Sequence, residues 1–242
     1  MVQIEIILKG KPYPEVFKLW DKLMGYFWQA YSDENVVDGF TGREICFTGV
    51  SQYLLKNKSD SFCIEIKKGS VEFSYVSDFD LSRLDIKKIA TSKEVAERLV
   101  SELVDDPAFI QARLYDEEYD RWQNMEDIAY YESEGRDHSG LPKKSNGLPF
   151  PLERVIIDIT GNSGRWELKK GYVESIGSTM WVDKSLANDL GSNISVADSD
   201  DGFSVSDLGH VLKIEVQEEC FKSATGDEAE IQDRLRKKLY NK

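Results

Sequence analysis

The chain has 242 residues, 40% of them apolar, enough to bury about 70 to 75% of its unfolded surface in a full core. Its formal net charge of −13 and pI near 4.7 argue against nucleic acid as a ligand, since a polyanion is held through many Lys and Arg contacts; a basic partner is the natural complement. Cys46, Cys63 and Cys220 are far apart and odd in number, which suits a reduced compartment, and the start shows neither a signal peptide nor a membrane span, so the expected location is cytoplasmic with no membrane attachment.

Val2, Ile4, Ile6 and Leu8 alternate with mostly polar neighbours and predict a strand ending at Gly10. Pro12 and Pro14 then open a helix in which Val16, Trp20, Leu23, Phe27 and Tyr31 step by three and four, with Phe17, Met24 and Trp28 widening the apolar face. Aromatics at that spacing predict core packing. Residues 33–42 read as a loop, and Phe62, Ile64, Ile66 and Val71, Phe73, Tyr75 flank Lys68, Gly69 and Ser70 as a hairpin. Thr91 and Glu94 form a capping box ahead of Val95, Leu99 and Leu103.

Residues 105–134 predict one long helix, capped by Asp106 with Pro107 at the first helical position. Ala108, Ala112, Tyr115, Tyr119, Trp122, Met125 and Ala129 share a face, and Asp116, Asp120 and Asp127 repeat beside it with Glu117, Glu118 and Glu126. Arg113 and Arg121 neutralise only part of this cluster. Carboxylates next to aromatic rings supply steering and desolvated contact together, so Asp116, Glu117, Tyr119, Asp120, Trp122 and Asp127 form a candidate partner-binding face. The plainer alternative is a solvated helix face, where isolated ion pairs contribute little.

Residues 134–151 hold three of the six prolines and read as a linker or long loop between an N-terminal domain, 1–133, and a C-terminal domain, 152–242. Val155, Ile157 and Ile159 predict a strand before a turn at Gly161, Asn162, Ser163 and Gly164. Ile194 with Val196, Phe203 with Val205, and Leu212 with Ile214 and Val216 predict three more strands. A final helix caps on Asp227 and Glu230 and turns Ile231, Leu235 and Leu239 inward. The fold class is therefore α+β, two mixed halves with mainly antiparallel sheets packed against helices.

The sharpest enzyme-like stretch is Asp198, Asp200 and Asp201 after Ile194 and Val196, a D-x-D arrangement that could hold a divalent metal for a hydrolase or transferase, with His210 nearby. An Asp201, Gly202 hairpin turn accounts for the same residues more simply. With only His138 and His210 available, base–nucleophile pairs and histidine metal sites have little material. The glycines at 161 and 164 lack the basic surroundings of a phosphate loop. Trp166 and Trp181 stand among polar residues, as core members or interface anchors. No cofactor is expected.

The order of elements, the Trp20 to Trp28 helix, and the GRWEL and MWVD segments at Trp166 and Trp181 resemble the immunity proteins of bacterial polymorphic toxin systems. The likeness is to the family paired with restriction-endonuclease-fold toxins, including immunity proteins that protect against type VI secretion effectors. The resemblance implies a cytoplasmic inhibitor, not an enzyme, that binds a cognate nuclease toxin through that toxin's basic surface.

Overall fold

The computed structural model describes residues 2–25, 31–67, 69–89, 92–196 and 202–240. The first stretch runs β1 (Val2–Lys9), α1 (Val16–Met24), β2 (Asn35–Asp38), β3 (Arg43–Cys46), α2 (Val50–Asn57), β4 (Phe62–Ile66), β5 (Gly69–Val76), β6 (Leu81–Lys87) and α3 (Lys93–Val104). It continues with β7 (Phe109–Asp116), α4 (Glu117–Asn124), α5 (Ile128–Ser133), β8 (Lys143–Ser145) and β9 (Val155–Ile157). The remainder is β10 (Glu167–Lys169), β11 (Tyr172–Glu174), β12 (Thr179–Asp183), α6 (Lys184–Asp189), β13 (Ser204–Asp207), β14 (Val211–Glu215) and α7 (Gly226–Tyr240).

Ten strands form one antiparallel sheet in the order β13-β14-β12-β7-β1-β6-β5-β4-β2-β3, with β8–β9 and β10–β11 as separate two-stranded pieces. The protein is α+β. The strands of the large sheet come from both sides of residues 134–151, and they join where Thr179 to Val182 of β12 pair with Gln111 to Leu114 of β7.

Strand alternation decides what each face of the sheet meets. Ile4, Ile6 and Leu8 of β1, Leu84 and Ile86 of β6, and Ala112 and Leu114 of β7 point to one side. They pack there against Leu19, Trp20 and Leu23 of α1, Leu54 of α2, and Leu99 and Leu103 of α3. Trp20 lies edge-on to Phe62 at 5.8 Å, and each such fully buried side chain contributes about 1.5–3 kcal/mol. On the other side Met180, Val182, Leu212 and Ile214 receive Leu235, Leu239 and Tyr240 of α7. Arg236 locks α7 in place: it lies 3.2 Å from Glu174 of β11 and donates to the carbonyls of Ser163 at 3.0 Å and Arg165 at 2.6 Å.

Several expectations need correction. Residues 105–134 are not one helix but β7 followed by α4 and α5. Asp106 makes a turn instead of a helix cap, accepting from the Ala108 N–H at 2.9 Å while its carbonyl takes the Phe109 N–H. Both faces of β7 are buried, one by apolar residues and the other by Gln111 and Arg113, so the polar half of a period-two pattern passes for the wet side of a helix. Residues 33–42 contain β2, and residues 134–151 contain β8. Ile194 and Val196 form no strand. Ser92 caps α3, accepting from the Val95 N–H. Thr91, Phe27 and Trp28 lie outside the described residues, as do Asp198, Asp200 and Asp201.

Candidate partner-binding face

Below the candidate face lies a buried ionic cluster set by sheet register. Glu5 of β1 stands directly between Asp85 of β6 and Arg113 of β7. Arg113 donates through Nε to Glu5 at 2.7 Å and meets Asp120 of α4 through Nη1 at 2.8 Å. Arg83 spans Glu5 and Asp85, each at 2.8 Å, and its guanidinium lies over the Trp166 ring at 5.2 Å. Glu5 and Arg113 are each 1% exposed, so each charge depends on its partners for the solvation it has lost. Burial raises the Glu5 pKa, but Arg113 and Arg83 outweigh it and hold the carboxyl below the usual carboxylate range.

Asp85 differs. Burial pushes it up to about 6, against the pull of Arg83 and with help from Glu5. The folded chain therefore keeps this proton after the unfolded chain has lost it, and stability from this group falls as pH rises from about 4 to about 6. Asp85→Asn removes the titration. Its stability relative to the native chain should improve between pH 4 and 7 by on the order of 1–3 kcal/mol, measured by urea unfolding at both values. Parallel stability curves for the two proteins would discount Asp85 as the titrating group.

Asp116, the last residue of β7, begins α4 by accepting the Tyr119 N–H at 2.9 Å. The helix therefore starts directly from the sheet's interior and is tied down by Asp120. Its far end rests on the turn predicted around Gly161. Gln123 Oε1 accepts the Gly164 N–H at 3.1 Å, the Asn162 amide donates to the Gln123 carbonyl at 2.8 Å, and the Trp166 N–H donates to Asn124 Oδ1 at 2.7 Å. A Cβ at Gly164 would lie 2.6 Å from Gln123 and 2.7 Å from Tyr119. Close helix packing accounts for that glycine.

Asp116, Glu118, Tyr119 and Trp122, with Arg136 and Lys222, line an open cleft of about 470 Å³. Arg136 lies 4.0 Å from the Trp122 ring centre and 2.7 Å from Glu118. Tyr131 and Tyr130 support the indole from behind at 5.0 and 5.7 Å. Tyr119 reaches Gln232 of α7 through its hydroxyl, and burial pushes its pKa up to about 12.

Of the six residues expected at the face, Asp116, Tyr119 and Trp122 share this cleft. Asp120 turns inward to Arg113. Glu117 lies 2.8 Å from Lys88 and 3.5 Å from Arg121. Asp127 caps α5 and lies 3.8 Å from Arg154. Arg113 and Arg121 are thus joined by cations from distant sequence, including Lys144 beside Glu126 at 3.4 Å. Of these carboxylates, Asp116 alone has no ion pair among the described residues. Arg136 and Lys222 were missed as members because no helical spacing links them to 118 and 122; Glu118, one turn before Trp122, was placed beside the face but not in it.

Trp181 is buried, 3% exposed. His210 sits 2.8 Å from the Val104 carbonyl, and His138 packs edge-on to Tyr131 at 6.2 Å. No group of three or more His, Cys, Asp or Glu residues able to hold a metal occurs among the described residues. Among those residues no helix is long and apolar enough to cross a membrane.

These features define an α+β protein with a broad antiparallel sheet and an open, aromatic-lined cleft at one end of its seventh strand. No family model and no curated protein matches the sequence. Among solved structures, the fold is similar to that of the Pseudomonas aeruginosa T6SS protein PA0821, with a TM-score of 0.56 over 99% of this chain and 73% of that chain. Identity between the two is 8%, so the likeness is one of fold.

Proposed function

We propose that this chain is an immunity protein, which binds a cognate nuclease toxin of a type VI secretion system and blocks it without catalysing a reaction. The observation that carries the reading is the clamp at the cleft. Glu118 and the Trp122 ring hold the chain's own Arg136 guanidinium between them, and an Arg or Lys of a basic surface would take up the same contacts by displacing it. Asp116 stands in the same cleft. A nuclease must present such a surface to its own substrate, and a chain with a net charge of −13 attracts it from a distance. The shared fold with a T6SS protein supports the same reading.

The test is binding to the product of the adjoining gene, because immunity and toxin genes lie side by side. Stopped-flow mixing of the two purified proteins should give association that slows about tenfold or more between 0.05 and 0.5 M NaCl, and the complex should no longer cleave DNA. Absence of a complex, or association indifferent to salt, would remove the reading.

A further inference from the structure

Residues 141–155 concentrate the exposed apolar surface of the chain. Phe150 is 91% exposed, Leu152 65%, Val155 58%, Leu148 50% and Leu141 37%. Their loop is held by its own polar groups. Asn146 donates its N–H to the Arg154 carbonyl at 2.9 Å and its side-chain amide to the Leu152 carbonyl at 3.0 Å. Its Oδ1 accepts the N–H groups of Leu148 at 3.2 Å and Arg154 at 3.1 Å. Leu152 N–H closes the tip onto the Pro149 carbonyl at 2.9 Å. A fixed backbone presenting large apolar groups has already met most of the ordering cost of binding, and such concentrations mark interaction sites.

We propose that this β8–β9 hairpin is the contact through which two copies of the chain pair about a two-fold axis. Charge selects the occupant. Residues 141–157 hold Lys143, Lys144 and Arg154 against Glu153, net +2, which leaves −15 on the rest of a chain whose total is −13. The hairpin's cations are balanced by neighbouring carboxylates, so the patch gives a basic partner no local attraction, and the rest of the chain repels an anionic bilayer. Two copies of this chain repel each other over most of their surfaces and least here. Glu126 and Asp158 lie 3.4 and 3.2 Å from Lys144, and Asp127 lies 3.8 Å from Arg154, bringing the patch near neutrality.

The adjacent opposite charges Glu153 and Arg154 are self-complementary: across a two-fold axis each copy offers one to the other. The exposed apolar side chains amount to roughly 500 Å² per copy, about 1,000 Å² for the pair, which reaches the lower limit of a specific interface. The contact uses none of the cleft residues, so it stands or falls separately from toxin binding.

Sedimentation velocity of the full chain from about 1 to about 200 μM should show a monomer–dimer equilibrium that strengthens with added NaCl as long-range repulsion is screened. That salt dependence is opposite in sign to the one expected for a basic partner. Phe150→Asp should weaken the dimer about a hundredfold while leaving the thermal midpoint unchanged at the dilute, monomeric end of that range, because the side chain is exposed in the monomer. Glu153→Arg and Arg154→Glu should each weaken it, and together restore it. A monomer throughout the range, a dimer insensitive to Phe150→Asp, or a monomer that binds anionic vesicles would overturn the proposal.

Discussion

Replacing Arg113 with Leu is expected to remove about 3–5 kcal/mol of folding stability, the largest loss foreseen for any single change in this chain. Among the described residues the guanidinium is the sole cation bridging Glu5 of β1 and Asp120 of α4. Without it Glu5 keeps only Arg83, which Asp85 shares, and Asp120 keeps no ion pair. Both carboxylates are largely shielded from water, so the loss is mainly their uncompensated burial. Arg113→Lys retains one charge but not the fork that reaches two carboxylates, and should fall between the two. Glu5→Gln combined with Arg113→Leu should cost less than the sum of the single changes by about 1 kcal/mol or more. Urea unfolding monitored by circular dichroism measures all four, and strict additivity would show that the cluster does not act as a unit.

Trp122→Ala is expected to be the most damaging change to partner binding, about 2–4 kcal/mol or roughly 30- to 1,000-fold in Kd. The indole forms the cleft wall, and its loss removes both the apolar surface and the face on which a cation rests. The ring also packs on Tyr130 and Tyr131, so about 1 kcal/mol of stability should go with it. Glu118→Gln separates the two effects: this exposed carboxylate should slow association and flatten its salt dependence while leaving unfolding unchanged. If Trp122→Ala binds the adjoining gene's product within twofold of the native chain, the cleft is not the binding face.

The patterns with one wet face were legible in the sequence: the β4–β5 hairpin, α3 and α7 alternate or step as their burial requires, and β1 was legible from its apolar alternation although Gln3 and Glu5 on its other face are buried too. What failed was β7. Its second face buries Gln111 and Arg113, and a buried arginine cannot be told from an exposed one when the carboxylates that hold it lie at positions 5 and 120. The aromatic part of the site was legible because Tyr119 and Trp122 lie one helical step apart. Its electrostatics were not, because Lys88, Arg136 and Arg154 reach the carboxylates from separate elements. The hairpin at 143–157 was hidden by composition, since prolines and glycines signal a linker whether or not Asn146 organises the turn between two short strands.

The great sheet ends in β3 on one side and β13 on the other, each four residues long. Every other strand of this sheet has a neighbour on both sides, so these two rims are where a stranger's backbone could zip onto it. Arg43 and Glu44 on one rim and Asp207 on the other place charge along that path, and four residues supply too few amide pairs to nucleate a cross-β fibre. Short, charged rims therefore give this broad sheet little edge for another backbone to pair with.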